Sequence, residues 1–206
     1  MFFSFLLKMF KLGRILWLLP LSIILYACPY ESSVPLDAKP SEPIDTSLIG
    51  YWYGIVKDGS DYFGIEALDI QKLSDSTYNI TRYGKAIKGD MILPDTSYFT
   101  GYTSKVGSRS YMNVVATIVE VTPKNEKTPE VKTSKMYYFA TLEKKNDTLT
   151  VQTVTDGFAG MNPRFRNSKE LKQIISSMTE KNKNIFDDVY KLSYRKTQPP
   201  KQLKPS

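Results

Sequence analysis

Histidine is absent from all 206 residues of the chain. That removes Ser-His-Asp and Cys-His nucleophilic systems, histidine-ligated zinc catalysis, and the commonest side-chain base near neutral pH. Cysteine is reduced to one, Cys28, so no intramolecular disulfide can form and the fold must hold through its core alone. No glycine-rich phosphate loop is present: Gly157-Phe158-Ala159-Gly160 lacks the following Lys-Ser/Thr and reads as a connection from strand to helix. Asp58, Asp61 and Asp90 sit near Gly59 and Gly89 without calcium-loop spacing, and read as solvated turns. No catalytic, metal or cofactor-binding set is therefore expected. The apolar run from Ile15 to Ala27 is also too short to cross a bilayer, which takes roughly 20 residues.

What that run does have is the anatomy of an export signal. Lys8, Lys11 and Arg14 precede it, and the small residue Ala27 closes it just before Cys28. Leu25-Tyr26-Ala27-Cys28 resembles the bacterial lipobox, leucine-x-small-cysteine, in which the thiol is acylated and becomes the new N-terminus. Tyr26 departs from the small or β-branched residue usual there. Read from Met9 rather than Met1 the signal is compact, and both starts stay open. The resemblance implies lipidation at Cys28 and a lipid anchor in a bacterial cell envelope, at the outer membrane. Glu31 alone is too little acid after the cysteine to decide between a periplasmic and a surface face. The alternative is an inert cysteine in an ordinary signal or anchor helix.

Removing residues 1–27 takes away three basic residues and no acids, leaving 25 basic against 21 acidic and a net charge of +4. Stretches such as Glu143-Lys144-Lys145-Asn146-Asp147 interleave the signs, which reads as solvated surface, and no nucleic-acid partner is expected. Residues 28–45 carry Pro29, Pro35, Pro40 and Pro43 among polar residues and are expected to form a flexible tether. Residues 46–196 form one domain, and residues 197–206, with Pro199, Pro200 and Pro205, a disordered tail.

The domain reads mainly as strands. Leu48 to Lys57, Tyr62 to Leu73 and Thr77 to Tyr83 are rich in aromatic and β-branched residues, the last with Tyr78, Ile80 and Arg82 at a period of two. Further strands are expected at Tyr98 to Thr103, Ser110 to Val121, Lys135 to Leu142 and Thr148 to Thr155. Asn146-Asp147 supplies a tight hairpin, while Pro94-Asp95 and Pro123 to Pro129 read as loops. After Phe165 the period changes. Asn167 and Glu170 form an N-cap signal, and Leu171, Ile174, Ile175 and Met178 recur at helical spacing, so one amphipathic helix flanks or plugs the sheet. Ile185, Phe186, Val189 and Tyr190 continue as a short helix or a last strand ending near Arg195.

Leu48-Ile49-Gly50-Tyr51-Trp52 opens the domain with a Gly-x-Trp signature, Gly50 and Trp52. With the strand series and the late helix, this resembles the lipocalin-like (calycin-type) lipoproteins of the Bacteroidetes. The resemblance implies an antiparallel barrel whose tryptophan closes one end beneath a late arginine, with Arg195, Arg166 and Arg164 as candidates. It also implies a cup for one small apolar or amphipathic ligand, with Tyr62, Tyr78, Tyr83 and Tyr137 as candidate lining; each can equally be an ordinary strand residue. A non-catalytic interaction or structural subunit, docking to an envelope protein or glycan, is an alternative. So is a minimal carboxylate-dependent hydrolase. For the hydrolase, Glu66 and Asp69 lie three apart in one strand, on opposite faces, and so fail as a same-face pair.

Overall fold

Alternation along each strand sorts its residues into two sets, and closure of the sheet turns those sets into an inside and an outside. The computed structural model describes residues 29–58, 62–88, 91–125, 128–156, 165–181 and 185–199. Cys28 and the export signal lie outside them. Eight strands follow in order: β1 (Gly50–Asp58), β2 (Tyr62–Lys72), β3 (Tyr78–Lys88), β4 (Met91–Val106), β5 (Arg109–Asn125), β6 (Thr128–Lys145), β7 (Thr148–Val154) and β8 (Phe186–Thr197). One helix, α1 (Ser168–Glu180), precedes β8. Each strand pairs antiparallel with the next, and β8 returns to β1 by pairing Thr197, Lys196 and Arg195 with Tyr51, Trp52 and Tyr53. The expected antiparallel lipocalin-like β-barrel with one C-terminal helix is thus the observed fold.

The inward set packs as one cluster that includes Trp52, Leu68, Ile70, Tyr78, Leu149 and Tyr194. The outer face of β4, β5 and β6 is covered as well. There Tyr111, Phe139 and Val106 pack with Leu171 and Ile175 of α1 in a second cluster. Asn167 caps α1 by accepting from the Glu170 backbone N–H at 3.0 Å, and the helical stripe faces this cluster as its spacing predicts. Asn146-Asp147 forms the β6–β7 turn, with Asn146 at φ 55.

Residues 29–45 do not behave as the tether their composition suggests. Tyr30 and Leu36 are fully buried in the outer cluster. The Tyr30 backbone N–H donates to the Val154 carbonyl at 2.9 Å, and Ser32 exchanges two backbone bonds with Tyr137. The segment then crosses β5 and β4, where Asn113 Oδ1 accepts from the Leu36 N–H at 2.9 Å and the Tyr102 hydroxyl donates to the Asp37 carbonyl at 2.6 Å. It ends beneath the barrel, with the Asp45 N–H on the Tyr78 hydroxyl. Two apolar side chains and a series of backbone bonds outweigh an average that four prolines dominate.

Three hairpins run on past the closed part of the barrel. β2 keeps pairing with β1 to Tyr62 after its ladder with β3 ends at Ala67. β4 pairs with β3 from Met91 but with β5 only from Thr100. β5 and β6 continue together from Val115 to Asn125. The two expected loops fall inside these arms: Pro94 lies in β4 opposite Lys85, and Pro123 faces Pro129 beside a register shift. Strands paired on one side only have an open edge, where proline's missing N–H is tolerated.

Candidate functional site

Trp52 closes the end of the barrel away from the arms. It is fully buried, and its Nε1–H donates to the Leu48 carbonyl at 2.8 Å. Among the described residues the cation above its ring is neither Arg195 nor Arg166. Lys196 Nζ lies 5.2 Å from the ring centroid. Arg195 has the opposite parity and is exposed beside Tyr53, Arg166 is exposed near the N-terminus of α1, and Arg164 is outside the described residues. Gly50 has φ +139, and a Cβ there would stand 2.8 Å from Lys196 Cε, so the motif's glycine makes room for that lysine.

Toward the arms the barrel is not filled. An interior cavity of about 360 Å³ is walled by residues from β2 round to β8, among them Leu68, Phe99, Met112, Leu142, Val151 and Leu192. Into this apolar chamber point Glu66, Arg82 and Tyr194. Glu66 is almost wholly buried, its side chain 5% exposed. It accepts from the Tyr194 hydroxyl at 2.5 Å on Oε1 and from Arg82 Nε at 2.7 Å on Oε2, with Arg82 Nη2 at 2.6 Å. Arg82, with 38% of its side chain exposed, also reaches Asp95 Oδ2 at 3.3 Å. Gly54 on β1 makes space for this cluster: a Cβ there would lie 2.9 Å from the Tyr194 ring.

The charges reinforce one another. Burial, and then the charge and hydrogen bond of Glu66, hold the Tyr194 proton well above the ordinary phenol range. Burial alone would loosen the Arg82 proton, but the hydrogen bond and charge of Glu66 outweigh it and the guanidinium stays charged. Nearer the mouth, the Tyr138 hydroxyl donates to Glu31 at 2.9 Å, and burial together with Glu31 pushes its pKa up to about 12. The site is therefore an apolar chamber with one ionic, hydrogen-bonding edge.

Of the four tyrosines expected to line a cup, the three whose side chains are described do not line this chamber. Tyr78 is packed solid in the closed end. Tyr83 has the opposite parity to Arg82 and lies outside, and Tyr137 is outside beneath Ser32. The Tyr62 side chain is outside the described set. The aromatic residues of the chamber are Phe99, Tyr138 and Tyr194. Glu66 faces inward and Asp69 outward, where Gln71 Nε2 donates to it at 2.8 Å, as the spacing of three requires. A second concavity, a trough of about 520 Å³ on the outer face of β1, β2 and β3, holds Tyr51, Tyr53 and Tyr83, with the Tyr51 and Tyr83 centroids 6.2 Å apart.

Comparison with protein-family models, with curated proteins and with solved structures finds no match to the chain in any of the three. The functional reading rests on the geometry of the barrel.

Proposed function

We propose that the protein is a lipoprotein of the bacterial envelope, anchored through an acylated Cys28, whose barrel holds one small apolar or amphipathic ligand. The observation that carries the reading is the interior cavity of about 360 Å³ with its single ionic edge. Ligand pockets run from roughly 300 to 1,000 Å³, are mostly apolar, and use a few placed polar groups for orientation. Here Leu68, Phe99, Met112 and Val151 would cover the ligand's apolar body, and Arg82 and Tyr194 would meet its polar group. The anchor rests on the basic cluster, the apolar run and the Leu25-Tyr26-Ala27-Cys28 motif.

Native mass spectrometry of the mature chain, purified from its own membranes, tests the ligand. The expected result is a reproducible added mass that Ala140→Leu, which fills part of the chamber from β6, removes while circular dichroism stays unchanged. A bare mass, together with an apolar fluorescent probe that binds the wild type and Ala140→Leu alike, would overturn the reading.

A second reading has its own observation. Tyr53 and Tyr83 are each 40% exposed in the outer trough, and a tyrosine-lined trough suits docking to an envelope protein or a glycan. It predicts a partner lost on Tyr83→Ala and kept on Ala140→Leu.

A further inference from the structure

Among the described residues lining the chamber, only Glu66 and Arg82 carry charge, and they face each other. Asp95 on the far side of Arg82 tips the balance: two carboxylates against one guanidinium leave a net charge of −1 (−2 + 1) at this edge. Two more acids stand toward the mouth. Tyr138 of the lining holds Glu31, and Asp156 follows Thr155, which pairs with Pro29 of the lining. Burial, and then the charge of Glu31, raises the pKa of Asp156. An anion entering the chamber thus meets carboxylates from the rim inward.

The hydrogen bonds already made leave a mixed capacity. A guanidinium has five N–H donors, a carboxylate about four lone pairs, and a phenol both donates and accepts. Arg82 Nε and Nη2 both reach Glu66 Oε2, which fills that oxygen. Oε1 accepts from the Tyr194 hydroxyl and keeps a lone pair. Arg82 gives a third N–H to Asp95 and has two left among the described contacts. Tyr194 has spent its proton on Glu66, so its oxygen remains as an acceptor. Donors and acceptors therefore lie side by side at one edge of an apolar wall.

Head groups differ in how they meet such an edge. A carboxylate only accepts. Its attraction to Arg82 is offset by repulsion from Glu66 on the same guanidinium, and the hydration it gives up is not returned. An ammonium only donates, and it would set a second cation beside Arg82. A hydroxyl donates and accepts at once and brings no charge.

We infer that the chamber takes an uncharged amphipath with a hydroxyl head group, which accepts from Arg82 and donates to Glu66 Oε1 or the Tyr194 oxygen. The chamber of about 360 Å³ sets the size of the body. At roughly 30 Å³ for each water-sized group it holds on the order of twelve non-hydrogen atoms. This head-group class rests on the barrel being the ligand carrier proposed above.

Competition against N-phenyl-1-naphthylamine, an uncharged fluorophore that brightens in apolar sites, tests it on the mature chain. The competitors are 1-decanol, decanoate and decylammonium near neutral pH, where the last two are ionised. The expected result is half-displacement by 1-decanol at a concentration at least about tenfold below that of either ion. Glu66→Gln takes away the carboxylate that matches Arg82, so it should shift the ratio of decanol to decanoate affinity about tenfold toward decanoate, with circular dichroism unchanged. Ala140→Leu should weaken all three competitors. Decanoate or decylammonium level with or ahead of decanol, with Ala140→Leu still excluding all three, overturns the head-group class and leaves the ligand-binding barrel standing. A ratio unmoved by Glu66→Gln overturns it too, because the head group then lies away from the ionic edge. A fluorophore that binds the wild type and Ala140→Leu alike, or neither, removes the barrel reading itself and the head group with it.

Discussion

Arg82→Met should destabilise the barrel far more than Glu66→Gln, although both break the same ion pair. The asymmetry follows from burial, since the Glu66 side chain is 5% exposed and that of Arg82 38%. Without Arg82 a carboxylate stays in an apolar chamber with Tyr194 as its remaining partner in the cluster. Breaking a buried pair from one side costs about 3 to 5 kcal/mol, and the open mouth sets this case at the lower end, about 3 kcal/mol. Without the Glu66 charge, Arg82 keeps water and Asp95, and the glutamine amide still accepts from Tyr194, so the cost is about 1 kcal/mol. In the double variant no buried charge is left unpaired, and the expected cost is about 1.5 kcal/mol against about 4 for simple additivity. The coupling is then about 2.5 kcal/mol. Urea denaturation of the four proteins at neutral pH measures it. With a slope near 2 kcal/mol per molar, Arg82→Met should move the midpoint by about 1.5 M and leave the slope unchanged. Equal losses from the two single variants, or an additive double, would refute the reasoning.

Trp52→Ala should cost about 3 to 5 kcal/mol in the same urea assay, because the ring is fully buried in the closed end. Lys196→Met should cost about 0.5 kcal/mol, the value of an exposed cation over an aromatic ring, while Arg195→Ala should be neutral; the reverse order would restore the arginine to that role. Alkali should unfold the protein. Burial raises the pKa of Tyr194, of Tyr102 and of Tyr138, so the folded state keeps phenol protons that the unfolded chain gives up near pH 10. Stability is therefore intact below about pH 10 and is lost as pH rises beyond it. With no histidine to titrate, the urea midpoint should change little from about pH 6 to 9 and fall above about 10; a midpoint unchanged at about pH 11 would contradict the assigned burial.

Much of this fold is legible in local patterns because the determinants are local. The two-residue Asn146-Asp147 turn, the Asn167 cap and the stripe of Leu171 and Ile175 each depend on neighbours within one turn of chain, and all three are in place. Which parity faces the cavity is a different matter. A period of two separates Tyr83 from Arg82, but it says which face is inward only when the other face is wet. In the closed part of β4, β5 and β6 neither face is wet: Tyr111 is buried outside and Met112 inside, as are Phe139 and Ala140. What covers that outer face is α1 and the 29–45 segment, whose burial depends on contacts as distant in sequence as Leu36 with Asn113. Composition sees the prolines and misses Tyr30 and Leu36. Tyr78, Tyr83 and Tyr137 therefore fall in the core, the trough and the outer face.

The same limit hid the ionic edge of the chamber. Glu66, Arg82 and Tyr194 come from three strands and are brought together by ladders spanning up to 128 residues of sequence. Nothing in their local spacing joins them. A buried ion pair adds little stability over apolar side chains of similar volume, and the chamber's other walls are apolar already. Stability alone therefore gives no reason for charge at this place. A polar group on a ligand does, since a dry carboxylate fixes the guanidinium and the phenol in position before the ligand arrives, and positioned groups lose less freedom on binding. On that argument Glu66→Gln combined with Arg82→Met should keep the fold and lose the ligand, and a double variant that still carried the added mass would place the ligand's polar group elsewhere.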